Sequence, residues 1–351
     1  MKKVKVLVVD DSAFVRELLT RCLSADPLIE VVGTASNSYI AKTKISELHP
    51  DVITLDQEMP GLNGIDFLKK LMKESPIPVL MVSAFTAKGS RLTIDALHAG
   101  AVDFVCKPMR DIERGLNGLV SEIQSKVKMA AKVTLKPAQF DTAPVKAPVV
   151  HGPALSVNHR CSVIAIGAST GGTVALTKVL ENLSVNSPCI LVVQHMPVGF
   201  TAAFAERLNS QLPFEVKEAK SGDEIQNGRV LLAPGGQHME LVRNQNKAWV
   251  TCNRKPEYKG LRPSVDLLFR SVARYEKHNA IGVLLTGMGD DGAEAMLSMR
   301  SAGARTIAQD EQSSVVFGMP RKAYELGAAE ELVALDQIAA KINHYLGEMS
   351  I

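Results

Sequence analysis

Short runs of apolar, often β-branched residues alternate along this chain with segments whose apolar residues recur at helical spacing. In the first third, the runs are Val4–Val9, Glu30–Ala35, Asp51–Leu55, Pro78–Val82 and Asp103–Cys106. Between them, residues such as Phe14, Leu18 and Cys22 recur every three or four positions, as on one face of a helix. Strands that alternate with helices close as a parallel sheet with helices on both faces. The pattern therefore predicts an α/β fold.

The same alternation returns in the second half of the chain. Its predicted strands are Ser162–Ile166, Cys189–Val193, Arg229–Leu232, Ala280–Leu285 and Thr306–Ala308, and its predicted helices begin after residue 172 and span 200–208 and 292–301. A chain of 351 residues exceeds the size at which a single core stays efficient, so two domains are expected. We predict two doubly wound parallel-sheet domains.

A stretch without either pattern separates the two halves. Residues 126–159 contain four prolines, and residues 126–160 carry six Lys or Arg and one Asp in a protein of net charge +3. The prolines predict a semi-extended linker, and the lysines keep it solvated. The expected domains are residues 1–125 and 160–349. Because the basic excess belongs to the linker, no nucleic-acid partner is expected.

Membrane insertion, disulfides and transition-metal sites have no support in the sequence. The longest apolar runs, such as Ile190–Val193, reach strand length, whereas a helix needs roughly 20 apolar residues to cross a bilayer. The N-terminus has no signal-peptide cleavage site, so a cytoplasmic protein is expected. The five cysteines form no Cys-x-x-Cys pair, and the eight histidines form no metal-binding motif.

In the N-terminal half, charged and hydroxyl residues stand where the predicted strands end. Asp10 and Asp11 follow the first strand, Asp56 the third, Ser83 the fourth and Lys107 the fifth. Parallel strands place these ends at one edge, where three carboxylates repel one another unless a hard cation such as Mg²⁺ is bound. With charge neutralised by Mg²⁺ and lysine, one carboxylate can accept a phosphoryl group. Taken singly, each aspartate could instead cap the helix that follows it.

The motifs that contain these residues resemble those of response-regulator receiver domains. They are VLVVDDS at 6–12, LDQEMPGLNG at 55–64, MVSA at 81–84 and GAVDFVCKP at 100–108. The resemblance covers residues 1–125 and implies a flavodoxin-like fold in which Asp56 is the phosphoacceptor. It also implies that Asp10 and Asp11 join Asp56 in binding Mg²⁺. The residues that sense the phosphoryl group would then be Ser83, Lys107 and Phe104.

In the C-terminal half, the first predicted strand runs into a serine-containing turn, GASTG at 167–171, which matches G-x-S-x-G. Such a strand-to-helix turn presents the hydroxyl, here that of Ser169, at the sheet edge beside amide groups that can bind an oxyanion. A helix N-cap or a phosphate-binding turn is equally consistent with this motif alone. A Walker loop is excluded because no Gly-Lys-Ser/Thr is present.

A nucleophilic serine needs a general base and a carboxylate that orients it. His195 follows the next predicted strand and so shares the edge, with His238 as a rival in a less favourable position. The strand at 280–285 is followed by Asp290 and Asp291, which residue types alone do not distinguish. The segment GMGDDG at 287–292 also matches the dinucleotide-binding G-x-G-x-x-G, but its aspartates would repel a pyrophosphate.

Six motifs in this half resemble the catalytic domain of chemotaxis protein-glutamate methylesterases. They are IGASTGG (166–172), QHMPVGFTAAFAERL (194–208), LLAPGGQHME (231–240), RPSVDLLFRS (262–271), LLTGMGDDGAEAM (284–296) and AQDEQSSVVFGMP (308–320). The resemblance implies a Rossmann-like α/β domain with a catalytic triad of Ser169, His195 and Asp291. It places Thr170 and Met288 at the site and requires no cofactor for the ester hydrolysis.

The resemblance also implies substrates and regulation. The enzyme would hydrolyse glutamate methyl esters on the cytoplasmic helices of chemoreceptors, release methanol, and deamidate selected glutamines. A chemotaxis histidine kinase would phosphorylate Asp56, and in this family the receiver masks the catalytic face until then. Two alternatives stay open: an esterase acting on another methylated signalling protein, and a non-catalytic regulator that docks a partner. The second would be expected to lack Ser169, His195 or Asp291, yet all three are present.

Overall fold

Two compact units, Met1–Lys146 and Ala147–Ile351, make up the computed structural model of this chain. The structure describes residues 2–59, 63–84, 86–107, 112–135, 162–245 and 247–349. Within these ranges, no helix combines the length and apolarity needed to span a membrane. The prediction of two α/β domains is confirmed.

The N-terminal unit is built on a five-stranded parallel sheet. Its strands are β1 (Val4–Val9), β2 (Ile29–Ala35), β3 (Val52–Asp56), β4 (Val79–Ser83) and β5 (Asp103–Cys106), and its helices are α1 (Ala13–Ser24), α2 (Ser38–Leu48), α3 (Gly64–Glu74), α4 (Ala87–His98) and α5 (Ile112–Ala130). The strand order β2-β1-β3-β4-β5 is that of flavodoxin-like folds. Strand order reverses between β1 and β3, and sheets of this kind bind ligands at such a point.

Burial explains why the sequence pattern located these strands to within one or two residues. Every residue of β3 and β4 is buried, as expected for strands covered by helices on both faces. Helix α3 instead buries one face, which includes Ile65, Leu68 and Leu71. Its start is fixed by Asn63, whose side chain accepts a hydrogen bond from Asp66 N.

Helix α5 corrects the expected start of the linker. The helix continues to Ala130, so residues 126–130 belong to it rather than to a linker that begins at 126. The physical reason is burial, because Ile123, Val127 and Ala130 continue one apolar face, and all three are fully buried. The proline-containing part of the predicted linker, residues 136–159, lies outside the described residues.

The C-terminal unit contains a seven-stranded parallel sheet and a separate hairpin. Its strands are β6 (Val163–Ala168), β7 (Cys189–Gln194), β8 (Glu215–Glu218), β9 (Arg229–Leu232), β10 (His238–Arg243), β11 (Ala248–Asn253), β12 (Ala280–Leu284), β13 (Arg305–Gln309) and β14 (Glu331–Val333). Its helices are α6 (Gly172–Glu181), α7 (Phe200–Gln211), α8 (Val265–Tyr275), α9 (Ala293–Ser301), α10 (Met319–Glu325) and α11 (Ile338–Glu348).

The order of the larger sheet is β14-β13-β12-β6-β7-β9-β8. It grows in both directions from β6, so its switch point lies between β6 and β12. All five strands predicted in this half are present, whereas the sequence pattern did not predict the edge strands β8 and β14 or the antiparallel hairpin β10–β11. These edge and hairpin strands are only partly buried, so their apolar signal in the sequence is weak.

Helix α8 is central to the core of the C-terminal unit. It packs against β6, β7 and β10, and Leu268, Phe269 and Val272 are fully buried on its inner face. Its arginines, Arg270 and Arg274, lie on the exposed side of the helix. Packing of α8 against the sheet therefore holds its N-terminus, at Ser264 and Val265, in a fixed position.

The Phe269→Ala substitution should destabilise the C-terminal unit by about 3–5 kcal/mol, because it removes a buried ring and leaves a cavity. Urea unfolding followed by fluorescence or circular dichroism would measure the change. Arg274→Ala, on the exposed side of the same helix, should stay within about 0.5 kcal/mol of the parent protein. Equal stability of the two variants would contradict the placement of α8 in the core.

Candidate active site and phosphorylation site

Strand register brings the C-terminal candidate residues to one edge of the sheet. Ala168, at the end of β6, pairs with Gln194, at the end of β7, so Ser169 and His195 occupy the next positions on adjacent strands. On the other side of β6, strand β12 leads into the loop that carries Asp291. The three residues therefore meet at the carboxyl edge beside the switch point, where α/β sheets bind ligands.

His195 and Asp291 form a direct pair. The His195 Nε2 atom lies 2.8 Å from Asp291 Oδ2, and the two side chains are 11% and 1% exposed. A carboxylate can only accept, so Nε2 carries the hydrogen and donates it. No hydrogen bond to Nδ1 occurs among the described residues, and Nδ1 is therefore the nitrogen left to accept a proton.

The Asp291 carboxylate is held at the N-terminus of α8. Besides His195 Nε2, it accepts from Ser264 Oγ (2.8 Å), Val265 N (2.6 Å) and Asp266 N (3.1 Å). Burial alone would raise the pKa of Asp291, but the hydrogen bonds from His195, Val265 and Ser264 hold it below its usual value. Helix N-termini stabilise anions in this way, so Asp291 is ionised at neutral pH.

Backbone contacts fix the turn that carries Ser169. Ser169 N donates to Thr286 O (3.0 Å), and the Gln194 side-chain amide donates to Ser169 O (2.8 Å). The Thr286 hydroxyl donates to Thr170 O (3.0 Å). The Ser169 side chain remains partly exposed, and its hydroxyl makes no hydrogen bond to His195 within the described ranges.

Close packing explains the glycine that follows Thr286. A Cβ atom on Gly287 would lie 2.3 Å from Met319 Sδ and 2.8 Å from Ser169 Cβ, so only glycine fits beside the serine turn. Met288 follows and is 44% exposed, whereas Thr170 is buried. The resemblance placed Thr170 and Met288 at the site. Thr170 directly follows Ser169, and Met288 directly follows Gly287, which packs against Ser169.

Geometry distinguishes the candidates that residue types left open. Asp290 is 56% exposed and lies 3.9 Å from Lys259, away from the imidazole that Asp291 binds. His238 is fully buried in β10, and its Nε2 donates to Pro256 O (3.0 Å). The ring of His238 is therefore held inside the hairpin by a backbone carbonyl, whereas the ring of His195 is held by a carboxylate.

The N-terminal candidates also converge. One oxygen from each of Asp10, Asp11 and Asp56 lies within 4.8 Å of the others. The Lys107 ammonium lies 3.0 Å from Asp10 Oδ2 and 2.8 Å from Asp56 Oδ1. Three carboxylates at this spacing provide the oxygen ligands that suit Mg²⁺, so the residues present fit the expected cation.

Burial and neighbouring charge set the protonation of this cluster. Burial, with the charge of Asp10, raises the pKa of Asp56 even though Lys107 lowers it. Burial lowers the pKa of Lys107, but its pairs with Asp56 and Asp10 raise it overall, so Lys107 remains a cation. An aspartate that is poorly compensated in this way gains from an added positive charge.

The Ser83 hydroxyl takes part in a separate buried network. It lies 3.1 Å from the Gln57 side-chain amide and accepts from Thr93 Oγ1 (2.8 Å), rather than bonding to Asp56. Phe104 is buried in the edge strand β5, and its backbone carbonyl accepts a hydrogen bond from Lys126 Nζ (2.6 Å). The sequence analysis did not identify Gln57, Thr93 or Lys126, because their contacts cross between elements that no local motif joins.

Sequence reasoning also did not identify Ser264 and Asp266 as parts of the catalytic edge. Both belong to RPSVDLLFRS, in which Ser264 is the N-cap of α8 and Asp266 lies in its first turn. A serine followed by an acidic residue before an apolar helix is a signal for a helix start. That signal could have located the start of α8, but not the distant carboxylate that it binds.

Comparisons with known proteins agree with this geometry. A sequence model of the CheB methylesterase family matches residues 164–342, and one of the response regulator receiver domain matches residues 6–116. A protein-glutamate methylesterase/protein-glutamine glutaminase of Syntrophotalea carbinolica is 53% identical to this chain, with 100% of this chain and 99% of that protein covered. The chain belongs to this methylesterase/glutaminase family.

Further relatives support the same assignment. A protein-glutamate methylesterase/protein-glutamine glutaminase 1 of Xanthomonas campestris pv. campestris is 48% identical, with 97% of this chain and 96% of that protein covered. The crystal structure of the Thermotoga maritima CheB methylesterase catalytic domain is 36% identical, with a TM-score of 0.51, and the match covers 54% of this chain and 98% of that one. The expectation of a protein methylesterase joined to a receiver domain is confirmed.

The Asp291→Asn substitution should lower the free energy of unfolding by an amount that depends on pH, because it removes a buried charge. The pKa of Asp291 is lower in the folded than in the unfolded protein, where it is near 3.8, so ionisation stabilises the fold above that pH. The variant should lose about 1–3 kcal/mol at pH 7. This difference should shrink as the pH falls through the folded pKa.

Urea unfolding of the parent and the variant at several pH values would measure this trend. Asp290→Asn is the matched control, because Asp290 is exposed, and it should change stability little at any pH. A stability difference for Asp291→Asn that grows on acidification would contradict the assignment of a stabilising, ionised Asp291.

Proposed function

We propose that this chain demethylates glutamate methyl esters and deamidates selected glutamines on the cytoplasmic helices of chemoreceptors, under the control of Asp56 phosphorylation. The observation that carries the proposal is the His195–Asp291 pair, joined at 2.8 Å, at the sheet edge that also carries the partly exposed Ser169. A chemotaxis histidine kinase is the proposed phosphodonor, and the cytoplasm is the proposed location of the reaction.

Ser169 is the proposed nucleophile. Its hydroxyl oxygen attacks the ester carbonyl of the glutamyl side chain, and His195 Nδ1 accepts the hydroxyl proton. The tetrahedral intermediate then expels methoxide, which takes that proton and leaves as methanol. Water attacks the acyl-enzyme with the same assistance from His195 and restores both Ser169 and a free carboxylate on the substrate.

Asp291 is proposed to stabilise the imidazolium that forms in each step. Its carboxylate fixes the ring by accepting from Nε2, and its other donors keep it ionised. The negative oxygen of the intermediate can be stabilised by amide groups in the first turn of α6, because this helix has no side-chain N-cap. Amide and ester substrates share this intermediate, which explains how one site can also release ammonia from glutamine.

The receiver residues have proposed roles of their own. An Asp56 carboxylate oxygen attacks the donor phosphorus as the bond from that phosphorus to the donor's leaving atom breaks, and the donor departs without its phosphoryl group. Lys107 pairs with the phosphoryl oxygens, and Ser83 leaves its network with Gln57 to bind one of them. Bound Mg²⁺, held by Asp10, Asp11 and Asp56, would neutralise charge on the phosphoryl group. Phe104 would report the change through its buried packing. We also propose that the linker begins after Ala130 and precedes a catalytic domain that starts near residue 160.

The Ser169→Ala variant should lose methanol release from methylated receptor membranes by at least about 1000-fold, because the acyl-enzyme cannot form. Gas chromatography of released methanol would measure it. Ser298→Ala removes an exposed hydroxyl on α9 and should retain full activity. Methanol release that survives Ser169→Ala would refute the mechanism, and full activity on other methylated proteins without activity on receptors would refute the substrate.

The Asp56→Asn variant should not become labelled by a small phosphodonor in the presence of Mg²⁺, and its esterase activity should no longer respond to that donor. Phosphate-affinity electrophoresis would detect the label. Asp51→Asn is a matched control because Asp51 lies just before β3, at the opposite end of the strand from Asp56. Undiminished labelling of Asp56→Asn would exclude Asp56 as the phosphoacceptor.

A further inference from the structure

A second buried carboxylate, Asp266, lies behind the His195–Asp291 pair. It is fully buried, and the mechanism above gives its side chain no role. Its backbone N–H donates to Asp291 Oδ1 (3.1 Å), while its own Oδ1 accepts from Ala295 N (3.0 Å). The first turns of helices α8 and α9 are thus joined by reciprocal hydrogen bonds. Asp291, just before α9, accepts from the start of α8, and Asp266, within α8, accepts from the start of α9.

One cation compensates Asp266. Its Oδ2 has no hydrogen bond in the part of the chain that the structure describes, but it lies 3.4 Å from Lys259 Nζ. Lys259 is 32% exposed and also pairs with Glu294 at 3.3 Å and Asp290 at 3.9 Å. A buried carboxylate without such a partner would take up a proton.

We propose that Asp266, whose carboxylate faces the Lys259 ammonium, is a positioning residue that acts on His195 through Asp291. By joining the first turns of α8 and α9, it fixes the carboxylate that orients the imidazole. An anion at this place would also stabilise the positive charge that His195 gains when it accepts the Ser169 proton. The inference rests on the proposed function of the triad and extends it by two residues.

The charges around Asp266 support a role that depends on Lys259. Asp266 faces Asp291 from the loop before α9 and Lys259 from the segment before α8. Lys259 also contacts Asp290 and Glu294, and Arg270 pairs with Glu294 at 3.6 Å. Burial and the charge of Asp291 raise the pKa of Asp266, while the Ala295 N–H and Lys259 oppose this rise. The Ala295 N–H and the Lys259 ammonium together favour the ionised form of Asp266.

Histidine-ring NMR on the full-length protein would test the proposal without turnover. The His195 signal, assigned from its loss in His195→Gln, is titrated in the parent, in Asp266→Asn and in the double variant Asp266→Asn/Lys259→Gln. Asp266→Asn should lower the imidazole pKa by about 0.5–1 pH units, because it removes a nearby anion and leaves the Lys259 charge. The double variant should show a smaller fall, because the loss of the Lys259 cation partly offsets the loss of the Asp266 anion.

The acid limb of the kcat/KM profile should move to lower pH by the same amount. Lys255→Gln is the matched control, because Lys255 pairs with Glu240 (2.8 Å) instead, and it should leave the His195 pKa unchanged. If Asp266→Asn does not fold, the double variant still decides the question, since it contains no unpaired buried charge.

An unchanged or raised His195 pKa in the variants would overturn the proposal, even if activity fell. Reduced activity with an unmoved titration would show that Asp266 is only structural. Because the titration needs no catalysis, this outcome is distinct from failure of the proposed function, which Ser169→Ala would reveal.

Discussion

A carboxylate that leaves water must recover its lost hydration from donors or cations, at a cost otherwise of several kcal/mol. In the catalytic unit, Asp291 is 1% exposed and recovers it from two side chains and two backbone amides. The start of α8, the end of β7 and the loop after β12 all have to meet at this anion. The position of the imidazole, and hence of the reaction, depends on that arrangement.

The two units share one sheet geometry, but the pKa values of their buried aspartates shift in opposite directions. Both place their acidic residues at the carboxyl edge near a switch point in strand order. In the catalytic unit, helix amides and a serine satisfy Asp291, so its pKa falls. In the receiver, burial and the charge of Asp10 outweigh Lys107 and the Gln57 N–H, so the pKa of Asp56 rises. These electrostatics suit the proposed roles, in which Asp291 stabilises the imidazolium of His195 and Asp56 binds Mg²⁺ and accepts a phosphoryl group.

Much of this arrangement could be predicted from the sequence, because parallel strands signal their ends by apolar runs that stop at polar residues. Ser169, His195 and Asp56 were located in this way. The choice of Asp291 over Asp290 required either family motifs or the structure, since adjacent aspartates differ only in the direction of their side chains. The roles of Ser264 and Asp266 could not be predicted, because their partner lies more than 20 residues away and joins two helices rather than one local pattern.

The orientation of the His195 ring has a consequence for chemical probes. With Nε2 occupied by Asp291, the lone pair that faces an electrophile at this edge belongs to Nδ1. In the serine proteases of the chymotrypsin type, the carboxylate binds Nδ1 and leaves Nε2 reactive. An alkylating substrate analogue that modifies this histidine should therefore attach to the nitrogen nearer the backbone, and an inhibitor designed on protease geometry would present its reactive carbon to the wrong side of the ring.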